Sequence, residues 1–202
     1  MDYQIKGENE LAQSILDVFG LSGFESNGLG LVVERDTRDN QNSPKRGSHF
    51  SFNNIAFRET FGGDDSFDTY TANYSAYFNH GGNHVLAARI TGRWTHNAPV
   101  GGYSSVDLRG YTRGEYLGRH TTTFEVEERY SLGGNFGLTA FFGAACLYGD
   151  NASCSNGENW FPAGGVGVTY MIKPKERMVV RAEIAAGKGD NEGFYIQFGN
   201  SF

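Results

Sequence analysis

The sequence predicts an all-β protein, a closed antiparallel transmembrane β-barrel, on three observations. Apolar and polar residues alternate with a period of two along successive segments, which is the pattern of strands with one apolar face. The chain has 29 glycines and 14% aromatic residues, which suits many strands joined by tight connections. Short turns alternate with longer loops, as they do at the two ends of an outer-membrane barrel.

Length, charge and polarity bound the class of the protein. At 202 residues the chain forms one domain, with at most a short appendage. A net charge of −6 argues against a nucleic-acid partner, because such a partner needs a basic surface. No apolar run approaches the roughly 18 residues of a membrane-spanning helix. A membrane strand needs only one apolar face, so the composition excludes spanning helices and permits a barrel.

Residues 1–27 are expected to form a separate segment ahead of a barrel at residues 28–202. Leu11, Ile15 and Phe19 have helical spacing, and Gly20 follows as a stop signal. These residues predict a short amphipathic helix at 8–19. The helix would dock on the barrel, plug its interior or lie on a membrane surface.

The strands follow in order from residue 28. Residues 28–36 alternate, a polar turn contains Pro44, and in the segment 47–59 the pair Asn53-Asn54 shifts the apolar face as a β-bulge would. Later alternating segments lie near 67–79, 83–95, 123–130, 134–147, 166–172, 178–184 and 194–202. The side chains expected to face lipid are Phe50, Tyr70, Tyr74, Leu86, Ile90, Trp94, Phe124, Val126, Val168, Val180, Phe194, Ile196 and Phe198.

Eight strands are favoured over ten. The eight segments from residue 47 onward bring residue 46 and Phe202 to the same, periplasmic end. Residues 28–36 make a ninth segment, although bacterial barrels have even strand counts. That segment therefore lies outside the wall of an eight-stranded barrel, unless earlier residues supply a tenth strand. A narrow eight-stranded barrel fills with side chains, which is the argument for ten.

The two cysteines are expected to pair. Cys146 and Cys154 flank a loop-like interval between strands, so a disulfide across that loop is geometrically reasonable. It would indicate an oxidising compartment such as the periplasm. Two free thiols are the alternative.

No enzyme, metal or cofactor is expected. His80 and His84 flank the Gly81-Gly82 turn, at the end away from the long loops, and a metal site there needs a third ligand that the sequence does not supply. No nucleophile occupies a recognisable strand-turn setting. Scattered histidines are more often solvated or interfacial than catalytic.

Four motifs, taken in order, resemble the carboxyl-terminal half of an Omp85-family barrel. The first is the turn Asp36-Thr37-Arg38-Asp39-Asn40, followed by Pro44 and Gly47. The second is the loop tip Leu108-Arg109-Gly110-Tyr111, and the third is the strand Glu127-Glu128-Arg129-Tyr130. The fourth is the final strand at residues 193–202. The family inserts or translocates proteins across Gram-negative outer membranes.

The resemblance implies a site and a set of partners. The loop carrying Arg109, Gly110 and Tyr111 would fold into the barrel, where Arg109 pairs with Glu127 and with Glu125 as a second acceptor. The final strand, with Phe194, Phe198 and Phe202 on one face, would be the signal that the assembly machinery recognises. The partners would be outer-membrane lipid and client outer-membrane proteins. A second copy of the chain, as a homodimer, is the alternative partner, because a barrel that does not close must pair its edges with another chain.

The departures from the family pattern bear on function. Family members usually carry periplasmic POTRA domains and a larger barrel, for which this chain has no room. The strand after Glu127 usually offers an aspartate beside the loop arginine, but residues 139–145 contain none. The chain is most similar to short members without POTRA domains. The favoured function is assistance in outer-membrane protein assembly or transport, through a weakly closed seam at which a client strand pairs. The alternative is a structural or pore-forming barrel.

Overall fold

The computed structural model describes residues 25–150, 152–200 and 202, and strands make up most of them. The predicted helix at residues 8–19 lies outside the described residues. The described residues form eleven strands in chain order. They are β1 (Gly28–Asp36), β2 (Gly47–Phe57), β3 (Phe67–Gly81), β4 (His84–His96), β5 (Ser104–Ser105), β6 (Leu117–Gly118), β7 (His120–Gly133), β8 (Phe136–Tyr148), β9 (Trp160–Lys173), β10 (Met178–Gly187) and β11 (Glu192–Phe198). The all-β prediction is confirmed.

One antiparallel meander dominates the fold. Nine strands form a single sheet in the order β1-β2-β3-β4-β7-β8-β9-β10-β11, so neighbours in sequence are neighbours in space. The short strands β5 and β6 form a separate two-stranded ribbon within the loop that joins β4 to β7. No helix among the described residues is long and apolar enough to cross a membrane.

The number of strands in the sheet differs from the prediction. β1 pairs with β2 in continuous register from Gly28↔Phe57 to Asp36↔His49, so it belongs to the sheet instead of lying outside it. Within the described residues the sheet therefore has nine strands, neither eight nor ten. Its outer strands, β1 and β11, do not pair with each other, and the expected closure into a barrel is not seen in this part of the chain.

The sheet is nevertheless curled, because turns from its two ends meet. The carboxylate of Asp39, in the β1–β2 turn, forms a 2.6 Å ion pair with Arg177 in the β9–β10 turn. Asn42 Nδ2 donates to the main-chain oxygen of Glu176 (3.0 Å), and Asn200 Nδ2 donates to the main-chain oxygen of Asn42 (3.3 Å). These contacts, which we call the turn clasp, bring the first hairpin against the last strands.

The two faces of the sheet have opposite character. The inner face, which the β4–β7 loop covers, carries buried charged and polar side chains such as Glu125, Glu127 and Arg181. All of the side chains expected to face lipid lie on the opposite, outer face. Most of them are exposed, and Trp94, Val126 and Val180 are partly exposed. These side chains therefore do not interdigitate in a dry interior.

The bulge expected at Asn53-Asn54 is absent from the structure. β2 and β3 pair in unbroken register from Gly47↔Tyr77 to Phe57↔Phe67. Ile55 and Phe57 consequently lie on the inner face, where the Phe57 ring stacks on Phe67 with centroids 4.4 Å apart. The prediction was wrong because the Phe57–Phe67 pair, near the loop end of β2 and β3, packs on the inner face. The apolar side chains of that end therefore do not need a bulge to bring them to the outer face.

Phe202 also departs from its expected position. β11 ends at Phe198, and Gly199 has a φ of 93°, a left-handed conformation that turns the chain off the strand direction. The Phe202 ring lies 6.5 Å from the Tyr77 ring and 4.8 Å from the Arg89 guanidinium carbon, both on inner-face side chains. Phe202 therefore does not share the outer face with Phe194 and Phe198.

The structure bonds Cys146 to Cys154 in a disulfide. The bond joins the end of β8 to the loop that follows it. Trp160, at the start of β9, donates through its indole N–H to the main-chain oxygen of Cys154 (2.8 Å), which holds the loop against the next strand.

The turn clasp generates a pH-dependent prediction. Burial raises the pKa of Asp39, but hydrogen bonds from Arg177 and from the main-chain N–H groups of Lys45 and Arg46 outweigh it and lower the pKa below its usual value of 3.8. A carboxylate with a lowered folded-state pKa stabilises the fold above its unfolded pKa and loses that contribution as the pH falls. We expect Asp39→Asn to destabilise the protein by about 1 kcal/mol or less at neutral pH, since the pair is partly exposed.

The measurement is the temperature at which heat-modifiable gel mobility is lost, followed from neutral pH down to about pH 3. The gap between the original chain and Asp39→Asn should shrink as the pH falls below about 4. Asp65→Asn is the control, because the Asp65 carboxylate makes no hydrogen bond within the described part of the chain. A gap that stays constant with pH would contradict the assignment.

Candidate functional site

The loop between β4 and β7, residues 97–119, folds into the interior of the curled sheet. Its side chains Val106, Leu108, Arg109 and Tyr111 are buried. Leu108 and its neighbours join one apolar cluster with inner-face residues of the wall, including Phe141 of β8. The loop therefore supplies part of the core that the sheet alone does not have.

Glycines on the wall make room for this loop. A Cβ built on Gly143 of β8 would lie 2.9 Å from Leu108 Cδ1, and one built on Gly187 of β10 would lie 2.6 Å from the Tyr111 ring. Real Cβ atoms do not approach that closely. A narrow barrel was expected to leave little space for the loop. The glycines on the inner face provide that space.

The tip of the loop is fixed by hydrogen bonds to three later elements. Gly110 has a φ of 97°, and its N–H donates to Tyr195 Oη on β11 at 2.9 Å. The Tyr111 hydroxyl donates to the main-chain oxygen of Pro162 on β9 (2.6 Å) and accepts from the N–H of Lys188 (2.7 Å). Burial raises the pKa of Tyr111, which keeps the hydroxyl proton in place as a donor.

Arg109 lies at the centre of a buried network of charges. Its Nη2 is 2.8 Å from Glu125 Oε1, and its Nη1 is 2.8 Å from both Glu127 Oε2 and Glu183 Oε2. Glu125 and Glu127 lie on β7, whereas Glu183 lies on β10. One guanidinium thus joins two strands that are not neighbours in the sheet, which its planar fork of donors suits.

Further contacts balance the charge of the three carboxylates. Arg181 Nη2 lies 2.9 Å from Glu127 and 2.8 Å from Glu183, and Arg129 Nε lies 2.7 Å from Glu127. Together with Arg109, three guanidinium groups lie within 2.9 Å of three carboxylates in the interior, and Arg89 of β4 adds a longer contact of 3.7 Å to Glu125. We call these six side chains, Arg109, Glu125, Glu127, Arg129, Arg181 and Glu183, the inner charge network.

The surroundings keep Arg109 charged. Its guanidinium carbon lies 3.6 Å from the centre of the Phe141 ring, a cation–π contact that seals the network on one side. Burial lowers the pKa of Arg109, but the carboxylates of Glu127, Glu125 and Glu183 outweigh burial and raise it. Removing either sign from such a site would leave an uncompensated buried charge.

The structure brings together all of the side chains expected at the loop-to-wall contact. Arg109, Gly110 and Tyr111 lie inside, and Arg109 reaches both Glu125 and Glu127. Sequence reasoning missed Arg181 and Glu183. Their alternation on the charged face of β10 was visible, but only the curl of the sheet brings that face against β7. Glu183 of β10 is a further acidic partner of Arg109, whereas residues 139–145, on the strand after Glu127, provide none.

The remaining candidates lie elsewhere. His80 and His84 are on the outer face near the β3–β4 turn, far along the strands from the loop tip. In the part of the chain that the structure describes, no group of three His, Cys, Asp or Glu side chains is placed to hold a metal ion.

One comparison with known proteins gives a match. A sequence profile described as the Omp85 superfamily domain matches residues 18–202. The match takes in the whole nine-stranded sheet and the loop that carries the inner charge network. No curated protein matches the chain.

The inner charge network generates a mutational prediction. Arg109→Ala leaves three buried carboxylates short of one cation, so we expect a loss of stability of about 3 to 5 kcal/mol. Arg113→Ala is the matched control, because Arg113 lies in the same loop in an exposed pair with Asp107. An exposed pair contributes about 1 kcal/mol or less. The measurement is the denaturant concentration at which the folded electrophoretic form is lost.

The coupling between Arg109 and Glu127 is tested by a double-mutant cycle. Glu127→Gln should destabilise the protein about as much as Arg109→Ala, and the double mutant should be little worse than either single one. Small, equal and additive effects would mean that Arg109 lies in an exposed loop.

The close approach at Gly187 generates a third prediction. Gly187→Ala places a methyl group against the Tyr111 ring, so the loop should dock less tightly while the sheet stays folded. We expect faster proteolysis within residues 107–115 with unchanged heat-modifiable mobility. Gly157→Ala is the control, since nothing lies within 4 Å of a Cβ there. Equal cleavage rates in the two variants would show that the loop does not need the space at Gly187.

Proposed function

Since the chain belongs to the Omp85 superfamily, a family of outer-membrane proteins, we propose that it lies in the Gram-negative outer membrane and assists the assembly or transport of other outer-membrane proteins. No catalytic step is part of the proposal. The partners are outer-membrane lipid and the strands of client proteins. The function then depends on how the sheet presents its edges.

The observation that carries the proposal is the pair of free edges on a curled sheet. β1 and β11 each pair on one side only among the described residues. In hydrocarbon, every main-chain N–H and C=O group needs a partner, so edges of this kind favour pairing with another strand. The free edges therefore supply the driving force for taking up a client strand by β-augmentation.

The side chains at these edges suit a client strand in a membrane. Leu29, Leu31 and Val33 of β1 are exposed on the outer face, as are Phe194, Ile196 and Phe198 of β11. A client strand with alternating residues would extend this apolar wall on one side and the polar interior on the other. The match in pattern supports a client that is itself a barrel strand.

The inner charge network supports a sheet that opens without collapse. Arg109 ties β7 to β10 through the loop, and the tip of the loop also contacts β9 and β11. These contacts of Arg109 and the loop tip do not involve β1. Arg129 of the network, however, donates to the main-chain oxygens of Pro44 in the β1–β2 turn (3.4 Å) and of Phe202 after β11 (2.8 Å), so it reaches both sides of the seam at that end. In the proposal the Arg109 contacts hold the curvature of β7 to β11 while the Pro44 and Phe202 contacts break and the edges receive a client.

The main alternative is a structural or pore-forming wall without assembly activity. The buried loop argues against a wide pore, because it occupies the interior with apolar side chains and paired charges. The turn clasp favours the structural alternative, since it holds the seam together at one end. A second copy that pairs with the free edges would likewise satisfy them without a client.

The decisive variant locks the seam. Asn200 Nδ2 donates to the main-chain oxygen of Asn42, so Asn42→Cys with Asn200→Cys places two thiols on opposite sides of it. A reducible bifunctional thiol reagent then cross-links the β1–β2 turn to the segment after β11. We expect the unlocked protein, reconstituted in liposomes, to speed the folding of a client barrel, and the locked form to lose this effect until it is reduced.

Two controls test whether the effect comes from the cross-link across the seam. The unmutated chain receives the same reagent and reductant, because its Cys146–Cys154 disulfide is also reducible, and each single cysteine variant is tested alone. Client folding that is equally fast with the seam locked would contradict the proposal. Absent acceleration combined with steady conductance in planar bilayers would favour the pore, and a dimeric mass would favour pairing of two copies.

A further inference from the structure

The carboxylate of Glu128 lies on the outer face of the sheet, within a row of apolar side chains. Glu128 of β7 pairs in register with Leu86 of β4 on one side and with Ala140 of β8 on the other. The same row continues through Val166, Ile184 and Phe194 on the next three strands. An acidic residue on a lipid-facing wall is costly, and such residues mark functional sites more often than others.

Among the described residues, the Glu128 carboxylate has one side-chain partner. His80 Nε2 lies 2.9 Å from Glu128 Oε1, and the side chains of both residues are substantially exposed. The other carboxylate oxygen of Glu128 makes no hydrogen bond to any described residue. Below this pair, the His84 ring stacks on Tyr130 with centroids 4.1 Å apart. The result is a small polar patch with one acceptor oxygen free to bind a cation.

An apolar groove of about 580 Å³ begins at this patch. It runs from Glu128 and Tyr130 across β8, β9 and β10 to Phe194. Its floor contains the small side chains Ala140 and Ala182, and larger neighbours such as Ile184 form its rim. The floor and rim offer only hydrocarbon contacts, whereas the Glu128 end offers a negative charge.

The position along the strand suits a lipid headgroup at the Glu128 end. Glu128 precedes the end of β7 at Gly133 by five residues, and the β3–β4 turn lies at the same end of the sheet. At about 3.3 Å per residue, the carboxylate lies roughly 16 Å along the strand from that end, and less in depth because strands tilt. Tyr130, an aromatic side chain of the kind that lies at headgroup level, is two residues or about 7 Å nearer to that end on the same face, so a headgroup beside Tyr130 is within reach of the Glu128 carboxylate.

We propose that this groove binds one phospholipid with a primary ammonium headgroup, of the phosphatidylethanolamine class. The ammonium donates to the free oxygen of Glu128, and an acyl chain lies in the groove. An anionic headgroup would be repelled by the carboxylate, and a quaternary ammonium has no N–H to donate. The inference rests on the proposed outer-membrane location and adds a selective lipid partner to it.

The test uses native mass spectrometry of the delipidated full chain in neutral detergent. An equimolar mixture of phosphatidylethanolamine, phosphatidylcholine and phosphatidylglycerol with the same acyl chains is added. We expect the ethanolamine lipid to be the main adduct. Glu128→Gln should reduce its occupancy about tenfold, to the level of the choline lipid, because one charge-assisted hydrogen bond is lost.

Two further variants supply a control and a second test of the groove. Glu176→Gln, in the β9–β10 turn at the same end of the sheet, is the control and should leave the preference unchanged. Ala140→Phe fills the groove floor beside Glu128, so it should reduce binding of all three lipids. This second variant keeps the proposal testable even where Glu128→Gln alters folding.

The following results would contradict the proposed lipid-binding site. Equal occupancy of the three lipids on the unmutated chain, or an unchanged ethanolamine preference in Glu128→Gln, would show that the groove only contacts bulk lipid. A dimer that excludes lipid would show that a second copy covers the groove. Heat-modifiable mobility of the same protein preparations after reconstitution in liposomes separates failure of this site from failure of the membrane location itself.

Discussion

The pairing of Arg109 with carboxylates inside the curled sheet is the interaction on which the rest of the structure depends. Glu125, Glu127 and Glu183 are fully or almost fully buried, and such a concentration of negative charge is tolerated only with cations at hydrogen-bonding distance. Arg129 and Arg181 come from the wall, as does Arg89 at a longer 3.7 Å from Glu125, but only the loop residue Arg109 contacts all three carboxylates among the described residues. Docking of the loop in the interior therefore completes the charge balance, and the inner-face glycines provide the space for it.

The sequence predicted the faces of the strands better than their arrangement. Period-2 alternation assigned outer residues such as Phe124 and inner residues such as Glu127 correctly, because side-chain direction in a strand is a local property. Strand number, closure and the path of Phe202 depend on non-local contacts. Pairing of β1 with β2 sets the strand number, and the turn clasp bears on closure. The path of Phe202 depends on its contacts with Tyr77 and Arg89, which the left-handed turn at Gly199 permits.

The residues of the candidate site also differ in whether the sequence predicted them. Arg109 and Glu127 were found from motifs, since the loop tip and the following strand lie close together in sequence. Glu183 was missed, because its distance from Arg109 depends on the curl that carries β10 towards β7. A sequence pattern taken strand by strand does not reveal which acidic side chain of a distant strand faces Arg109.

The protein combines a charge-paired interior, two sheet edges without a partner strand among the described residues, and an outer face on which apolar side chains surround an acidic one. The inner charge network holds curvature, the edges at β1 and β11 remain available to another strand, and Glu128 distinguishes one region of the lipid-facing surface. The central claim is that the loop is held inside the sheet. Hydrogen exchange of the reconstituted protein tests this most directly at Gly110 and Tyr111, whose N–H groups bond to Tyr195 Oη and to the main-chain oxygen of Leu108. The account predicts exchange there as slow as in the middle of β7, and exchange as fast as at the exposed residues 113–115 would contradict it.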